Sequence, residues 1–330
     1  MKYVLPGGTG QVGGHLRRAL VASGHDVVVL SRHPETLEPG VRHVVWDGRT
    51  LGPWAGEVDG ADVVVNLAGR TVSCRYTDRN LRQMMDSRVG STRVVGEAIA
   101  RAADPPAVWL QMSTATIYAD ARSRPGEPAH DEATGVIGGE EHDVPLYWEY
   151  SVRIARRWEE TQAAASTPRT RRVALRAAMV MTPDRGGVFD YLLGFARLGL
   201  GGPVAGGRQW VSWLHGDDLV RAVEFLVAHE EIEGPVNLAA PGPVRQRDLM
   251  RTLRRAWGRR VGLPATRFMA EVGAFALRTD TELLLKSRRV VPGRLLDAGF
   301  TFTHPTWEGA AADLVADVRR RRSAGASRPE

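Results

Sequence analysis

Gly7, Gly10 and Gly13 recur at every third position in Gly-Gly-Thr-Gly-Gln-Val-Gly, directly after the short apolar run Tyr3–Leu5. Leu16, Leu20 and Val21 follow at helical spacing. A strand, a glycine turn and a helix start in this order make a cradle for a pyrophosphate. Gly7 permits the tight turn, Gly10 lets the backbone approach without a Cβ, and Gly13 lets the helix pack close to the sheet. Thr9, Gln11 and Val12 complete the turn, and the free amides of the helix start face the phosphates. An ordinary strand–turn–helix corner is the bland alternative. The next apolar run, Val27–Leu30, ends in Ser31-Arg32-His33 with no acid before Glu35. An acid there would suit free ribose hydroxyls, whereas a hydroxyl and a guanidinium suit a 2′-phosphate. The expected cofactor is therefore NADPH rather than NADH, although an exposed loop arginine is unsurprising in so Arg-rich a chain. Asp47, after the third apolar run, is expected to contact the adenine amino group.

The elements that must position these groups alternate in type. Further strands are expected at Val44–Trp46, Val63–Asn66, Val108–Met112 and Val173–Arg176, with helices around residues 80–103 and 148–165. Strands separated by helices of this length imply a Rossmann-type, doubly wound parallel sheet in an α/β fold. Coverage on both faces explains why Val63-Val64-Val65 is apolar throughout. From about Pro183 the pattern changes to helices with Gly- and Pro-rich connectors, including helices near 192–198, 219–227 and 248–260 and a strand at Gln209–Trp213. The expected organisation is a cofactor-binding domain over 1–182, to which some later segments return, a smaller and mainly helical substrate-binding part over 183–322, and a disordered tail at 323–330.

Composition narrows the class. The 330 residues carry a net charge of +6, yet only Lys2 and Lys286 are lysines among 44 basic residues. The arginines are scattered rather than striped, so a nucleic-acid partner is not expected. A single cysteine, Cys74, excludes a disulfide framework or a cysteine metal cluster. Nine histidines without paired spacing give no expectation of a metal. No run approaches the roughly 18 apolar residues of a membrane span, and the opening lacks a signal-peptide core, so a cytoplasmic protein is expected.

Several segments together resemble the extended short-chain dehydrogenase/reductases, in particular the atypical branch named epimerase family proteins. They are GGTGQVGGHL at the start, VVVNLAG at 63–69, Ser87-Arg88 with Ser91-Thr92-Arg93, and STATIYA at 113–119. Arg157-Trp158-Glu159, GLGGPVAGGRQWVSWLHGDDL at 199–219, GPVNLAAPGPV at 234–244 and SRRVVPGRLLDAGFTF at 287–302 extend the match over nearly the whole chain. The resemblance implies that Leu67, Ala68 and Gly69 line the ribose and pyrophosphate side of the cofactor. It places Ser113 near the nicotinamide, Thr114 at the substrate-polarising Ser/Thr position, and Ala177, Ala178 and Met179 beside the nicotinamide ring. Asp217 is expected to cap a helix. A homodimer through the helices near 80–103 and 148–165 is implied by analogy.

The departure from the family carries the mechanistic question. Its ordinary members use a Tyr-x-x-x-Lys pair on the helix after the fifth strand. Anchored on Glu159, the Tyr position here is Ser151 and the Lys position Ala155; one residue earlier they are Tyr150 and Ile154. No lysine lies on that helix. General acid catalysis is worth about 10²–10⁴-fold, so its loss slows hydride transfer without abolishing it. The expected compensation is an aromatic ketone whose neighbouring phenol or enol stabilises its own oxyanion. Tyr118, Tyr150, Ser151, Trp210 and Trp213 are the expected substrate-binding residues, the tryptophans as walls for a flat ligand. The absent pair also resembles that of ketoreductases tailoring angucyclinone-type polyketide antibiotics. An NADPH-dependent ketoreductase is therefore the expected function, with a non-catalytic NADP(H) sensor and a nucleotide-sugar epimerase as alternatives.

Overall fold

The computed structural model describes residues 1–34, 36–121, 126, 128–142, 144–266 and 282–326. In chain order the strands are β1 (Lys2–Pro6), β2 (Asp26–Ser31), β3 (Val41–Val45), β4 (Val63–Asn66), β5 (Val108–Thr114), β6 (Arg171–Ala177), β7 (Met179–Met181), β8 (Trp210–Val211), β9 (Trp213–His215), β10 (Gly234–Leu238) and β11 (Val244–Arg245). The longer helices are α1 (Gln11–Ala22), α2 (Asp78–Arg101), α3 (Leu146–Ala163), α4 (Val188–Arg197), α5 (Gly216–Ala228) and α6 (Gln246–Trp257), followed by a last helix, Trp307–Ala326. Residues 323–326 thus complete a helix instead of opening a tail, and 327–330 lie outside the described residues.

Seven strands form one parallel sheet in the order β10-β6-β5-β4-β1-β2-β3. Strand period distributes each apolar run between two cores. Tyr3, Leu5, Val27, Val29, Val63, Val65 and Leu110 pack with Leu16, Leu20 and Leu219 on one face. Val4, Val28, Leu30, Val64 and Trp109 pack with Val94, Val95 and Ile99 of α2 on the other. The late strand β10 joins this sheet beside β6. β3 begins earlier than its apolar residues suggest, because Val41–Val45 pair with Val27–Ser31. Trp46 falls just beyond the pairing and turns edge-on to Trp54, with ring centroids 5.2 Å apart.

A separate core holds α4, α6 and the last helix together through Phe189, Leu193, Leu249, Leu253, Trp307 and Leu314. The strand expected at Gln209–Trp213 is divided. β8 pairs antiparallel with β11, and β9 pairs parallel with β7. Ser212, between them, donates through its hydroxyl to the Arg288 carbonyl at 3.0 Å and accepts from the Val290 amide at 2.7 Å.

A buried polar layer ties α3 to the sheet. The Ser113 hydroxyl donates to Glu159 Oε1 at 2.6 Å, and the Arg176 guanidinium grips the same carboxylate, with its Nη2 donating to Oε2 at 2.8 Å. Arg176 Nη1 also donates to the Tyr118 hydroxyl at 2.9 Å, which in turn donates to Asn237 Oδ1 at 2.9 Å. Burial pushes the Tyr118 phenol up, against the opposing pull of the Arg176 charge. Breaking a buried pair costs more than the pair contributes, because one charge is left uncompensated. Arg176→Met is therefore expected to lower unfolding stability by about 3 kcal/mol in denaturant titrations; a loss below about 1 kcal/mol would mean that water already satisfies Glu159.

Two helical glycines yield a prediction of opposite signs. A Cβ at Gly13 would lie 2.5 Å from the Gly8 carbonyl oxygen, whereas one at Gly194 of α4 meets nothing within 4 Å. Gly13→Ala is expected to cost about 1–3 kcal/mol by overpacking, and Gly194→Ala to gain about 0.5–1 kcal/mol from helix propensity. Thermal unfolding of the two variants checks both signs.

Candidate active site

Because all seven strands of the sheet run the same way, their carboxyl ends share one edge. The chain leaves β1 towards β2 and β3, then returns on the other side of β1 as β4. This reversal opens a crevice between the ends of β1 and β4, the place where open α/β sheets bind ligands.

The glycine turn forms one wall. Gly7 adopts φ +75°, and a Cβ there would lie 2.6 Å from the Ala68 Cα. Its amide donates to the Leu30 carbonyl at 2.8 Å. Gly13 is needed chiefly because α1 folds back onto Gly8, a closer constraint than helix–sheet spacing. Gly10, the α1 N-cap, has no side-chain cap bond, is exposed, and would bring a Cβ only to 3.6 Å from the Gly7 carbonyl oxygen. The first-turn amides, including those of Gln11 and Val12, have no intrahelical acceptor, and the helix dipole favours an anion there. The Gln11 side chain does not reach towards that position: its amide donates to Thr182 Oγ1 at 2.8 Å. A Cβ at Gly187 would collide with it at 1.6 Å, so the start of α4 lies against the glycine turn. Thr9 is half-buried in the turn, and Val12 packs against the sheet core.

The ends of β2 and β3 divide the expected adenosine-side residues. Ser31 is buried and its hydroxyl is committed, donating to the His33 carbonyl at 2.8 Å and meeting His43 Nε2 at 2.8 Å. That commitment removes it as a free phosphate donor. Arg32 is exposed and has no ion pair among the described residues. Asp47 folds back on its own turn, accepting from the amides of Arg49 and Thr50 and from the Thr50 hydroxyl at 2.6 Å. The Thr50 hydroxyl and these amides hold its carboxyl at about 2. These bonds hold the exposed carboxylate in place at the loop after β3.

At the end of β4, Leu67 donates its amide to the Pro6 carbonyl at 2.8 Å, and Ala68 donates its own to Asn66 Oδ1 at 3.1 Å. Gly69 is exposed beyond them. A Cβ on Gly69 would stand 3.2 Å from Cζ of Arg88, an α2 residue whose guanidinium lies 4.9 Å over the Trp158 ring. Burial pushes Arg88 down to about 10, and it has no carboxylate partner among the described residues. The Ser87-Arg88 pair was visible in the sequence, but only the fold carries it to the crevice wall.

At the end of β5 the expected roles separate. Ser113 and Tyr118 belong to the buried polar layer, so neither presents a free hydroxyl to a ligand. Thr114 is half-buried at the strand end and accepts from the Thr116 amide at 3.1 Å. Ala178 donates its amide to the Leu238 carbonyl at 2.9 Å and Met179 to that of Ser212 at 3.2 Å, both half-buried beyond β6. Tyr150 packs with Leu81, Met84 and Ile154 and carries the Arg153 guanidinium 4.3 Å over its ring. Trp213 is fully buried, edge-on to Trp307, and its indole N–H donates to the Gly242 carbonyl at 3.0 Å. It is a core residue rather than a ligand wall. Trp210 is half-exposed but already carries the guanidiniums of Arg245 at 3.8 Å and Arg289 at 4.7 Å.

Sequence spacing gave no sign of one further group. Ser151, at the Tyr position of α3 when the helix is anchored on Glu159, donates to Glu282 Oε2 at 2.6 Å. Glu282 Oε1 lies 3.8 Å from Lys286 Nζ, which donates to the Thr116 carbonyl at 2.9 Å. The C-terminal segment thus brings a buried lysine against the residues just after β5. The only hint was that one of two lysines in an Arg-rich chain falls there.

A cluster of His215, Asp217, His304 and Asp313 brings its ligand-type atoms within 4.8 Å of one another. His215 Nδ1 accepts from the Asp217 amide at 3.1 Å, capping α5, which leaves the proton of the neutral ring on Nε2 towards Asp313. Burial and the neighbouring His304 keep His215 below its ordinary value. So arranged, His215 offers no lone pair to a cation. Asp217 is not the cap expected of it; its carboxylate meets His15 Nε2 at 2.9 Å.

Comparison with known proteins matches this geometry. Residues 3–239 fit the model of the NAD dependent epimerase/dehydratase family, and residues 266–314 fit a domain of unknown function, DUF1731. The chain is 30% identical over 318 residues to the epimerase family protein YfhF of Bacillus subtilis, covering 96% of this chain and 99% of that protein. It is 30% identical over 322 residues to human epimerase family protein SDR39U1, covering 96% and 100%. A crystal structure of human SDR39U1 (isoform 2) with NADPH superposes with a TM-score of 0.81 at 26% identity, covering 96% of this chain and all of that one. The parallel sheet, the switch-point crevice and these relatives together place the chain in the NAD dependent epimerase/dehydratase family.

Proposed function

We propose that the protein is an NADPH-dependent ketoreductase that reduces a ketone of a polycyclic aromatic polyketide, of angucyclinone type, to the alcohol. The observation that carries the cofactor half is the uncapped, open crest at Gly10 over the α1 amides, between β1 and β4. A pyrophosphate fits there, because a Cβ is missing where it would approach and the amides lack partners. Arg32 at the end of β2 supports a 2′-phosphate, and the NADPH of the human relative supports the same choice. Arg88, beside Gly69 and without an acid partner among the described residues, suits an oxygen-rich group on the other side of the crevice. Bound NADPH would supply a hydride. The chain's own part is to hold the dinucleotide across the switch point and to set a carbonyl near Thr114.

The substrate half rests on the resemblance to angucyclinone-tailoring ketoreductases and on apolar surface near the crevice. Tyr191, one turn after Gly187, is exposed together with Phe195 and Leu198 on one side of α4. Such a surface suits a flat aromatic ligand better than a nucleotide sugar. Reversible sugar oxidation also asks for a strong base at the position where Ser151 stands.

Two measurements test this reading. NADPH oxidation is followed with a panel of quinonoid polycyclic ketones, simple ketones and nucleotide sugars. Turnover confined to the polycyclic ketones is expected; tight NADPH binding with no turnover on any of them would favour a sensor. Gly10→Val is expected to keep the unfolding midpoint, since its Cβ meets only the Gly7 carbonyl oxygen, at an ordinary contact of 3.6 Å, while abolishing measurable NADPH binding. Arg32→Ala is expected to weaken NADPH about ten- to hundredfold, the worth of hydrogen bonds to a charged group, and to leave NADH affinity unchanged. Equal losses for both nucleotides would remove Arg32 from the 2′-phosphate.

A further inference from the structure

Glu282 and Lys286 are each 1% exposed in their side chains, and their charged ends stand 3.8 Å apart. A buried ion pair is weak as a stabilising device, because desolvation of both charges offsets their attraction. Arginine is also the cation this chain uses almost everywhere. An arginine keeps its proton under all ordinary conditions, whereas a buried lysine can release one. The position of the pair is equally specific. Lys286 Nζ donates to the Thr116 carbonyl, two residues beyond Thr114, and Glu282 accepts from Ser151, the residue at the Tyr position of α3. Ser151 is half-buried, so it is the member of the chain of groups that reaches the surface.

We propose that Ser151, Glu282 and Lys286 form a proton relay that serves the substrate's carbonyl oxygen in place of a Tyr/Lys pair. The inference rests on the reading of the protein as a carbonyl reductase. The Ser151 hydroxyl, which donates to Glu282 at rest, turns to the substrate and gives its proton to the carbonyl oxygen as the carbonyl carbon gains a hydride. The Lys286 ammonium passes a proton to the Glu282 carboxylate, the N–H bond breaking as the carboxyl O–H forms, and the resulting carboxylic acid turns and gives that same proton to Ser151 Oγ, returning to the carboxylate. The net change is ketone plus hydride plus one proton to alcohol, with Lys286 left neutral until water restores its proton. A protein-side acid of this kind replaces the expectation that the substrate must supply its own stabilisation.

Burial lowers Lys286 to about 8, with Glu282, Glu141 and Asp120 pulling it up and Arg288 pushing it further down. Glu141 and Asp120 come from the segments before α3 and after β5, so charged groups of three different segments act on the ammonium. An ammonium of this acidity can give up a proton near neutrality.

The presence of only two lysines makes a direct test practical. In cofactor-free protein labelled with ¹³C-lysine, the two side chains titrate as separate NMR signals, assigned with Lys2→Arg. Lys286 is expected to titrate near 8, and lower in Glu282→Gln; titration at the ordinary 10.5 overturns the relay. With a ketone that the wild type reduces, Ser151→Ala and Lys286→Arg are each expected to lower kcat about 10²-fold, the worth of general acid catalysis, with NADPH affinity unchanged. Lys286→Arg keeps the charge beside Glu282 but enlarges a buried side chain, so its kcat is compared at a temperature where its unfolding midpoint shows it folded. The wild-type kcat should fall above about pH 8, and this limb should vanish in Ser151→Ala. Variants that retain kcat within about threefold, far less than the loss of an acid catalyst, overturn the relay and leave the reductase reading standing. A wild type that binds NADPH but reduces no ketone overturns both.

Discussion

The backbone of Gly7 lies against that of Ala68, where a Cβ would come within 2.6 Å of the Ala68 Cα, and this approach sets the spacing between the ends of β1 and β4. A side chain at residue 7 would push the two strand ends apart and would also resist the φ of +75° that the turn demands. Because the sheet is wholly parallel, the displacement would reach every group on the shared edge. Leu67 is bonded back to Pro6, and Gly7 to Leu30, so β1, β2 and β4 are tied together at the level of the turn. The crevice is therefore a property of backbone packing before any polar side chain is considered. Arg32, Arg88 and Thr114 are arranged around an opening that the glycines have already defined.

Polar burial follows two different rules around that opening. The layer of Ser113, Glu159, Arg176, Tyr118 and Asn237 is closed on itself, each member with a partner at hydrogen-bonding distance. A network satisfied in this way fixes α3 against the sheet, with Glu159 and Arg176 also lining a cavity beside Ile117 and Arg156. The Ser151, Glu282 and Lys286 group is arranged differently. Its carboxylate and ammonium are not in hydrogen-bond contact, and its hydroxyl end is half-exposed. Arginine holds the first group and lysine the second, which matches a fixed charge with structure and a titrating one with chemistry.

The same contrast explains what the sequence could and could not reveal. The glycine turn and the strands β1, β2, β4, β5 and β6 were legible because turn sterics and strand periodicity are local. Even β3 was misplaced only by a few residues, since its register is decided by β2. Residue types at the site were legible too, but their commitments were not. Ser31, Asp47, Ser113, Tyr118 and Trp213 have the chemistry expected of ligand contacts, yet each is satisfied by a tertiary or turn partner that spacing does not show. Lys286 is the reverse case. Reading a helix for its fourth-residue partner excluded a lysine, whereas Ser151 and Glu282 are 131 residues apart in the chain.

That distance bears on how the catalytic pair of this fold can be changed. A Tyr/Lys pair on one helix turn owes its geometry to the helix alone, so it is preformed as soon as α3 folds. A relay assembled from α3 and the segment after residue 281 needs the C-terminal part to be seated first. The seating is supported by bonds independent of the relay: Ser287 donates its amide to Asp120 at 3.0 Å, Arg288 Nε donates to Thr116 Oγ1 at 3.1 Å, and Val290 donates to Ser212. These bonds join the C-terminal segment to the residues just after β5 and to the break between β8 and β9. The groups of the proposed relay are thereby coupled to the seating of the C-terminal segment against the residues after β5. Lysine on the helix would titrate whether or not that part was in place, whereas lysine on the C-terminal segment reaches Thr116 and Glu282 together only when it is.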